Sequence, residues 1–283
     1  MRHVDLHAHT TASDGTLAPT ALVEAAKAAG LVALAVTDHD SLGALEEARI
    51  AGTRLGVEIV PGVELSVTHA VGDVHILGYF VDDHDARLVA RLTHLREARE
   101  RRAGAIVEKL RELGVDITLA DVEREAEKGS ALGRPHVARA LLTRGHVASV
   151  QDAFDRFLAD GRPAAVPKAK LSAQEAIILI HGAGGVAVLA HPGILADDAR
   201  ERVVRELAKM GLDAVEVLHP KNTPEVRVKL REWADELGLV QTGGSDYHGE
   251  NKPGIEIGAE PVSYEALNAL RRRAATARRR LRG

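Results

Sequence analysis

The chain has 283 residues, 45% hydrophobic and 28% charged, the balance of a globular protein with room for one large domain or for a domain carrying an insertion. A net charge of -4 gives it no general attraction for nucleic acid, and the lack of cysteine excludes disulfides and thiolate metal sites. No run is long and apolar enough to cross a membrane and the first residues do not resemble a secretory leader, so a cytoplasmic protein is expected. Aromatic residues make up 2%, which leaves the core to Ala, Val, Leu and Ile, while 14 histidines direct attention to nitrogen and oxygen coordination.

In chain order, short β-branched runs predict strands at 4–6, 32–36, 58–60, 74–77, 186–189, 214–218 and 239–242. Apolar residues at helical spacing predict helices at 20–29, 43–55, 173–181, 200–210 and 224–237. Gly30, Gly56, Gly211 and Gly238 follow four of these, where a left-handed residue can close the last turn. Strand and helix in alternation predict parallel pairing with right-handed crossovers, and seven strands suit an incomplete or distorted α/β barrel. Residues 85–170 break the alternation with helical patterns at 86–113, 120–128, 136–144 and 150–159. They read as a helical insertion, with 1–84 and 171–283 forming the barrel. The arginines of 271–282 read as a solvated helix end, with contact to RNA as the alternative.

Polar residues collect where the predicted strands end. His7-Ala8-His9 closes the first, and side chains two apart on a strand share a face, so both imidazoles can reach one ion. Asp14 follows in the loop before Gly15. The second strand ends Thr37-Asp38-His39-Asp40, where Asp38 is either a ligand or the group that orients His39. The third ends Pro61-Gly62-Val63-Glu64, the fourth carries His75, and the fifth ends Ala190-His191-Pro192. The sixth carries Glu216, facing solvent or supporting the site from within, and ends at His219; the seventh runs into Ser245-Asp246-Tyr247-His248. All seven strands thus deliver metal-capable or acid–base side chains to the barrel face where active sites are built. His3, His69, His84, His94, His146 and His181 fit no such pattern and are assigned to surface or structural roles.

These motifs, spread over the whole chain except its tail, resemble those of the PHP family, the polymerase and histidinol phosphatase domains. The resemblance implies a distorted seven-stranded α/β barrel and a site for three divalent ions. One ion would be held by His7, His9, Glu64 and Asp246, a second by Glu64, His75 and His191, and a third by Asp14, His39 and His248. Family members inside polymerases can lose ligands and become structural; here the set is complete. Length and the insert's Gly133-Arg134-Pro135-His136 are similar to the nucleoside 3′,5′-bisphosphate phosphatases, which implies removal of the 3′-phosphate from molecules such as adenosine 3′,5′-bisphosphate and trimming of short RNA from the 5′ end.

Three dications against Asp14, Glu64 and Asp246 would leave the site electropositive, and such ions lower the pKa of a water and stabilise phosphoryl charge. Arg134 is the candidate phosphate clamp, or else a residue at the start of a helix beginning at Pro135. His219 is the candidate general acid or phosphate donor, with His136 competing for that role. Lys168, Lys170 and Lys221 are weaker candidates for a second phosphate. Manganese is expected from the resemblance, with zinc, iron and cobalt equally suited to these ligands. Rival readings are a histidinol-phosphate or other small-monoester phosphatase, a phosphodiesterase, an amidohydrolase, and a metal-binding module without turnover.

Overall fold

The computed structural model describes residues 3–126, 132–167 and 171–282. The chain divides into two compact units, Met1–Ala90 with Lys170–Gly283, and Arg91–Ala169.

Among the described residues the first unit holds nine strands: β1 (His3–Asp5), β2 (Ala33–Val36), β3 (Glu58–His69), β4 (Gly72–Tyr79), β5 (Leu171–Ser172), β6 (Val186–Leu189), β7 (Ala214–Leu218), β8 (Val240–Gly243) and β9 (Val262–Ser263). Their order is β8-β7-β6-β4-β3-β2-β1-β9, with β5 beside β3. Seven of them, β1 to β4 and β6 to β8, make the wall of a distorted barrel, as expected. The wall closes at one end through the residues beyond β1 and β8, where Asp246 N–H donates to His7 O (2.8 Å) and His9 N–H to Tyr247 O (2.9 Å). We call this end the mouth. At the base, β9 lies antiparallel to β1 instead.

One expectation fails. β4 runs antiparallel to both β3 and β6, so pairing is not uniformly parallel. A parallel crossover needs a dozen or more residues, usually with a helix. Only Ala70 and Val71 separate β3 from β4, and His69 pairs directly with Gly72. The reversal means that β4 reaches the mouth with its N-terminal half, so His75 is delivered there from the opposite direction to its neighbours. β3 is also far longer than the predicted 58–60, and Glu64 lies in its middle rather than at its end.

Helices α1 (Pro19–Ala28) and α2 (Leu45–Leu55) cover the outside of β2, with Leu22, Val23, Leu45 and Ala48 packed among Leu34 and Val36. Helix α3 (Ala86–Glu112) leads into the second unit, which adds α4 (Leu119–Arg124), α5 (Arg134–Thr143) and α6 (Val150–Ala153), the last running into a wider π turn at Phe154–Leu158. That unit has its own core of Ile106, Leu110, Ile117, Val122, Val137 and Leu141. Thr118 and Asp121 cap α4 reciprocally, which satisfies backbone donors that a helix start leaves orphaned. The predicted helix at 120–128 ends at Arg124; residues 127 and 128 lie outside the described residues.

Back in the first unit come α7 (Ala173–Gly182), α8 (Asp197–Lys209), α9 (Pro224–Leu237) and α10 (Tyr264–Arg282). Leu267, Leu270 and Ala274 of α10 pack with Val4, Val186 and Val262 at the base. Three arginines of this helix reach back to the barrel. Arg271 pairs with Glu58, Arg273 donates to Gly238 O (2.9 Å), and Arg278 donates to Gly184 O (2.9 Å) and Phe80 O (2.5 Å). These three fasten the helix to the barrel while remaining partly exposed to solvent. No helix among the described residues is long and apolar enough to cross a membrane.

Candidate metal centre

The mouth is built around Glu64. Its Oε2 lies 3.3 Å from His7 Nε2, 3.1 Å from His9 Nε2 and 3.2 Å from His39 Nδ1. Its Oε1 lies 2.7 Å from His75 Nδ1 and 3.1 Å from His191 Nε2. Asp246 Oδ1 stands 3.5 Å from both His7 Nε2 and His9 Nε2. A third carboxylate, Asp14, meets His248 Nε2 at 3.3 Å, and His9 Nδ1 and His39 Nε2 at 3.7 Å. The structure therefore brings all nine expected ligands together. It also sets His9 against Asp14 as well as Glu64, and His39 against Glu64 as well as Asp14, so these two imidazoles lie between groups that the sequence reading kept apart.

The donor set fits divalent cations. Two imidazole nitrogens of the cluster, His9 Nε2 and His39 Nδ1, are buried without a hydrogen-bond partner among the described residues. They nevertheless stand 3.1 and 3.2 Å from a carboxylate oxygen. Two ligands bound to one ion at about 2.1 Å lie about 3.0–3.5 Å apart. The spacing is that of atoms converging on a shared point, and the angles do not suit direct hydrogen bonds.

Supporting contacts fix the rings. His7 Nδ1–H donates to Glu216 Oε1 at 3.0 Å, which leaves Nε2 for the cluster. Glu216 Oε2 accepts from His191 N–H (2.7 Å), so this fully buried residue supports two ligands and does not face solvent. His248 Nδ1–H donates to Asp246 O (2.8 Å), again leaving Nε2. Asp38 does not orient His39: its oxygens accept from Thr10 N–H (2.8 Å), Thr10 Oγ1 (2.7 Å) and Ser13 Oγ (2.6 Å), shaping the loop that carries Asp14. Gly15 closes that loop where a Cβ would strike the His9 carbonyl, and Gly244 passes so close to the His7 backbone that only glycine fits.

His219 differs from the other imidazoles. Its Nδ1 accepts from Lys221 N–H at 3.0 Å, which puts the ring proton on Nε2, 3.5 Å from Asp246 Oδ2. It enters the cluster as a donor. His191 and Asp246 both hold left-handed backbone, with φ of 30° and 57°. Such a conformation costs a non-glycine residue about 1 kcal/mol or more, so the surroundings must enforce it. Beyond His191, the buried guanidinium of Arg200 donates to Pro192 O (2.9 Å) and Leu195 O (2.7 Å). Buried Asn222 ties this turn to β7, accepting from Gly193 N–H (2.8 Å) and donating to Glu216 O (3.0 Å) and Val217 O (2.9 Å).

Charge follows the geometry. Burial alone would raise the carboxyls, yet the histidines beside Asp14, Glu64 and Asp246 hold all three well below the usual range. Burial opposes charge on His9, but Asp246, Glu64 and Asp14 outweigh it and push the ring up to about 9. His39 goes the other way, driven well down mainly by burial, and stays neutral. Without ions, protons on His7 and His9 offset part of the carboxylate charge; cations would replace them.

In the helical unit, Arg134 Nη1 donates to Asp160 Oδ1 (2.8 Å) and Leu158 O (3.2 Å), and its guanidinium stands 5.9 Å from the centre of the Phe154 ring. His136 is buried and its Nδ1 accepts from Gly133 N–H (3.0 Å). Lys168 and Lys170 lie outside the described residues. His69 and His181 pair with Glu206 (3.0 Å) and Asp213 (2.7 Å), consistent with structural roles. The sequence reading missed Arg200, Asn222, Asp5 and Lys252. Of these only Asp5 carried a signal: it shares the alternation of His7 and His9, and its carboxylate accepts from Ser245 N–H (2.9 Å) and Gly258 N–H (2.8 Å) beside the centre.

A barrel whose mouth gathers histidines and carboxylates for cations is an architecture of metal-dependent hydrolases, and comparison with known proteins narrows it. The PHP domain profile matches residues 5–163. The chain is 38% identical over 270 residues to the 5′-3′ exoribonuclease Rnm of Escherichia coli, covering 93% of this chain and 92% of that protein. It is 34% identical over 261 residues to the 3′,5′-nucleoside bisphosphate phosphatase of Chromobacterium violaceum, covering 91% of each. A structure from Bifidobacterium adolescentis, described as a metal-dependent phosphoesterase, superposes with a TM-score of 0.86 at 33% identity and 95% coverage of both chains. The chain belongs to the PHP family, and it is a phosphoesterase of that family.

Proposed function

We propose that the protein removes the 3′-phosphate from nucleoside 3′,5′-bisphosphates, such as adenosine 3′,5′-bisphosphate, with three divalent ions, manganese foremost. The observation that carries this is the convergence of histidine nitrogens, two of them buried and unpartnered, on the two oxygens of Glu64, together with a relative named as a 3′,5′-nucleoside bisphosphate phosphatase. His7, His9, Glu64 and Asp246 would hold one ion, Glu64, His75 and His191 a second, and Asp14, His39 and His248 a third. Bound there, the ions would supply an activated water near neutral pH and neutralise phosphoryl charge.

The chain's own groups complete the reaction. His219, with its proton on Nε2, donates to the leaving 3′-oxygen or to a phosphoryl oxygen. Glu216 keeps His7 and His191 in place. Arg134 and His136 are assigned to the substrate phosphate from the sequence resemblance. The Asp160 contact uses only one Arg134 nitrogen, which leaves other donors of the fork. A nucleotide substrate fits a cytoplasmic enzyme.

A second reading, stepwise trimming of short RNA from its 5′ end, draws on the 38% identity to an exoribonuclease. The test is phosphate release from adenosine 3′,5′-bisphosphate with Mn²⁺, beside histidinol phosphate and a short 5′-phosphorylated RNA. Release of one phosphate leaving AMP supports the first reading. Nucleotides freed from RNA without that release transfer the assignment to the second. Turnover of histidinol phosphate alone removes both, and absence of any turnover with ions bound returns the structural-module reading.

A further inference from the structure

Asp246 presents its two oxygens to different surroundings. Oδ1 faces the histidines of the cluster, His7, His9 and His248, at 3.4–3.5 Å. Oδ2 faces two donors: His219 Nε2 at 3.5 Å and Lys252 Nζ at 2.6 Å. Lys252 is the one lysine or arginine among the described residues that pairs with any of Asp14, Glu64, Glu216 and Asp246. Its side chain is 38% exposed, against 7% for its partner, so it stands at the open rim.

The loop that carries Lys252 is fastened to the centre. It follows a short turn at Gly249–Asn251, and Lys252 N–H donates to Gly249 O (3.1 Å). Asn251 Nδ2 donates to Asp14 O (2.7 Å) and Glu250 N–H to Thr16 Oγ1 (3.1 Å), while Thr16 N–H donates to His248 O (3.2 Å). The backbone is therefore held against two proposed ligands, and the lysine's four-carbon stem remains the adjustable part.

We propose that Lys252 is a phosphate-binding residue, whose ammonium passes from Asp246 Oδ2 to an oxygen of the substrate's phosphoryl group. This rests on the reading that the cluster holds divalent ions. Cations beside Asp246 offset the carboxylate's charge and with it the attraction that holds the ammonium there. A phosphoryl dianion arriving at the same rim offers more charge and unsaturated acceptor oxygens. Oδ2 then marks a place where an anionic oxygen meets Lys252 and His219 together. The ligand is a phosphoryl dianion, either the one being cleaved or the second phosphate of a bisphosphate.

The experiment uses Lys252→Met and Lys252→Arg in the Mn²⁺-loaded protein. It measures calorimetric affinity for inorganic phosphate, metal content, and kcat and KM on adenosine 3′-phosphate and adenosine 3′,5′-bisphosphate. Lys252→Met is expected to weaken phosphate binding and raise KM by about 10- to 100-fold with the ions retained, and Lys252→Arg to restore most of the loss. Equal losses on both esters assign Lys252 to the cleaved phosphate; a loss confined to the bisphosphate assigns it to the second. Unchanged phosphate affinity overturns the proposal, as does loss of ions from Lys252→Met, which would make the lysine a support for Asp246. Wild-type protein that binds phosphate through Lys252 yet cleaves neither ester leaves this inference intact and removes the bisphosphate reading.

Discussion

The two ends of the barrel treat their charged groups in opposite ways. At the base arginines, a histidine and carboxylates pair with one another and with the backbone. Asp213 receives His181 and the Ala187 amide at 2.7 and 2.9 Å, Glu58 receives Tyr264 at 2.7 Å and also Arg271, and Arg278 caps the carbonyls of Gly184 and Phe80. At the mouth, imidazole nitrogens stay unpaired beside carboxylates, and His191 and Asp246 sit in left-handed backbone. A self-contained network of arginines and carboxylates needs nothing further. A cluster of imidazoles and carboxylates with donors left over is complete only when cations enter. The contrast separates charge that holds a fold from charge that does chemistry, using one sheet and one set of residue types.

Several changes probe this contrast. Glu64→Gln should have the largest effect, since five imidazoles face its oxygens. Loss of about 10³-fold or more in kcat/KM is expected, with fewer ions bound and an unchanged circular dichroism spectrum. A variant that keeps its activity would remove Glu64 from the centre. Glu216→Gln comes next, at about 10- to 100-fold in metal affinity or activity, because it acts only through His7 and His191. Equilibrium dialysis against Mn²⁺ measures it, and affinity equal to wild type would reduce Glu216 to a packing role.

Stripping the ions exposes the protons that replace them. Protonated His9, with its pKa pushed from 6.5 up to about 9, stabilises the fold fully below 6.5 and loses that contribution as pH rises through about 9. Chelator-treated protein should therefore melt lower at the alkaline end of this window. Added Mn²⁺ should raise Tm more there than at its acidic end, because fewer protons compete with the ion. A stabilisation by Mn²⁺ that is independent of pH would contradict the exchange. Smallest of all, Arg271→Ala at the base removes a half-exposed ion pair with Glu58, worth about 0.2–1 kcal/mol. A small drop in Tm with unchanged kcat is the expected result; a loss of turnover would show that the two ends are coupled.

Much of the mouth could be read from the sequence because strand alternation is a strict geometric rule. His7 and His9 had to share a face, and each strand-end motif supplied a chemically distinctive residue. The reversed β4 was not read because the predicted third strand stops at 60: only when β3 is extended to His69 does the connection shrink to two residues, too short for a parallel crossover. Asn222 and Arg200 were not legible at all. Their role depends on which carbonyls the folded chain brings beside them, and an asparagine after a turn or an arginine on an amphipathic helix has no pattern that distinguishes it. Asp38 misled for the same reason: adjacency to His39 suggested a partner, whereas the fold turns it toward Thr10 and Ser13.

The reversal of β4 also has a consequence for how such a molecule can change over time. Tyr79, near its end, pairs with Val186, and Asp82 N–H donates to Ala183 O at 2.8 Å. Between these two points the chain makes its excursion, Arg91–Ala169, which forms the second unit. Closing a flexible loop costs only about 0.6 kcal/mol more for each doubling of its length. Lineages can lengthen, shorten or exchange that excursion at little thermodynamic cost, leaving His7, His9, Glu64, His191, Asp246 and the barrel beneath them unaltered.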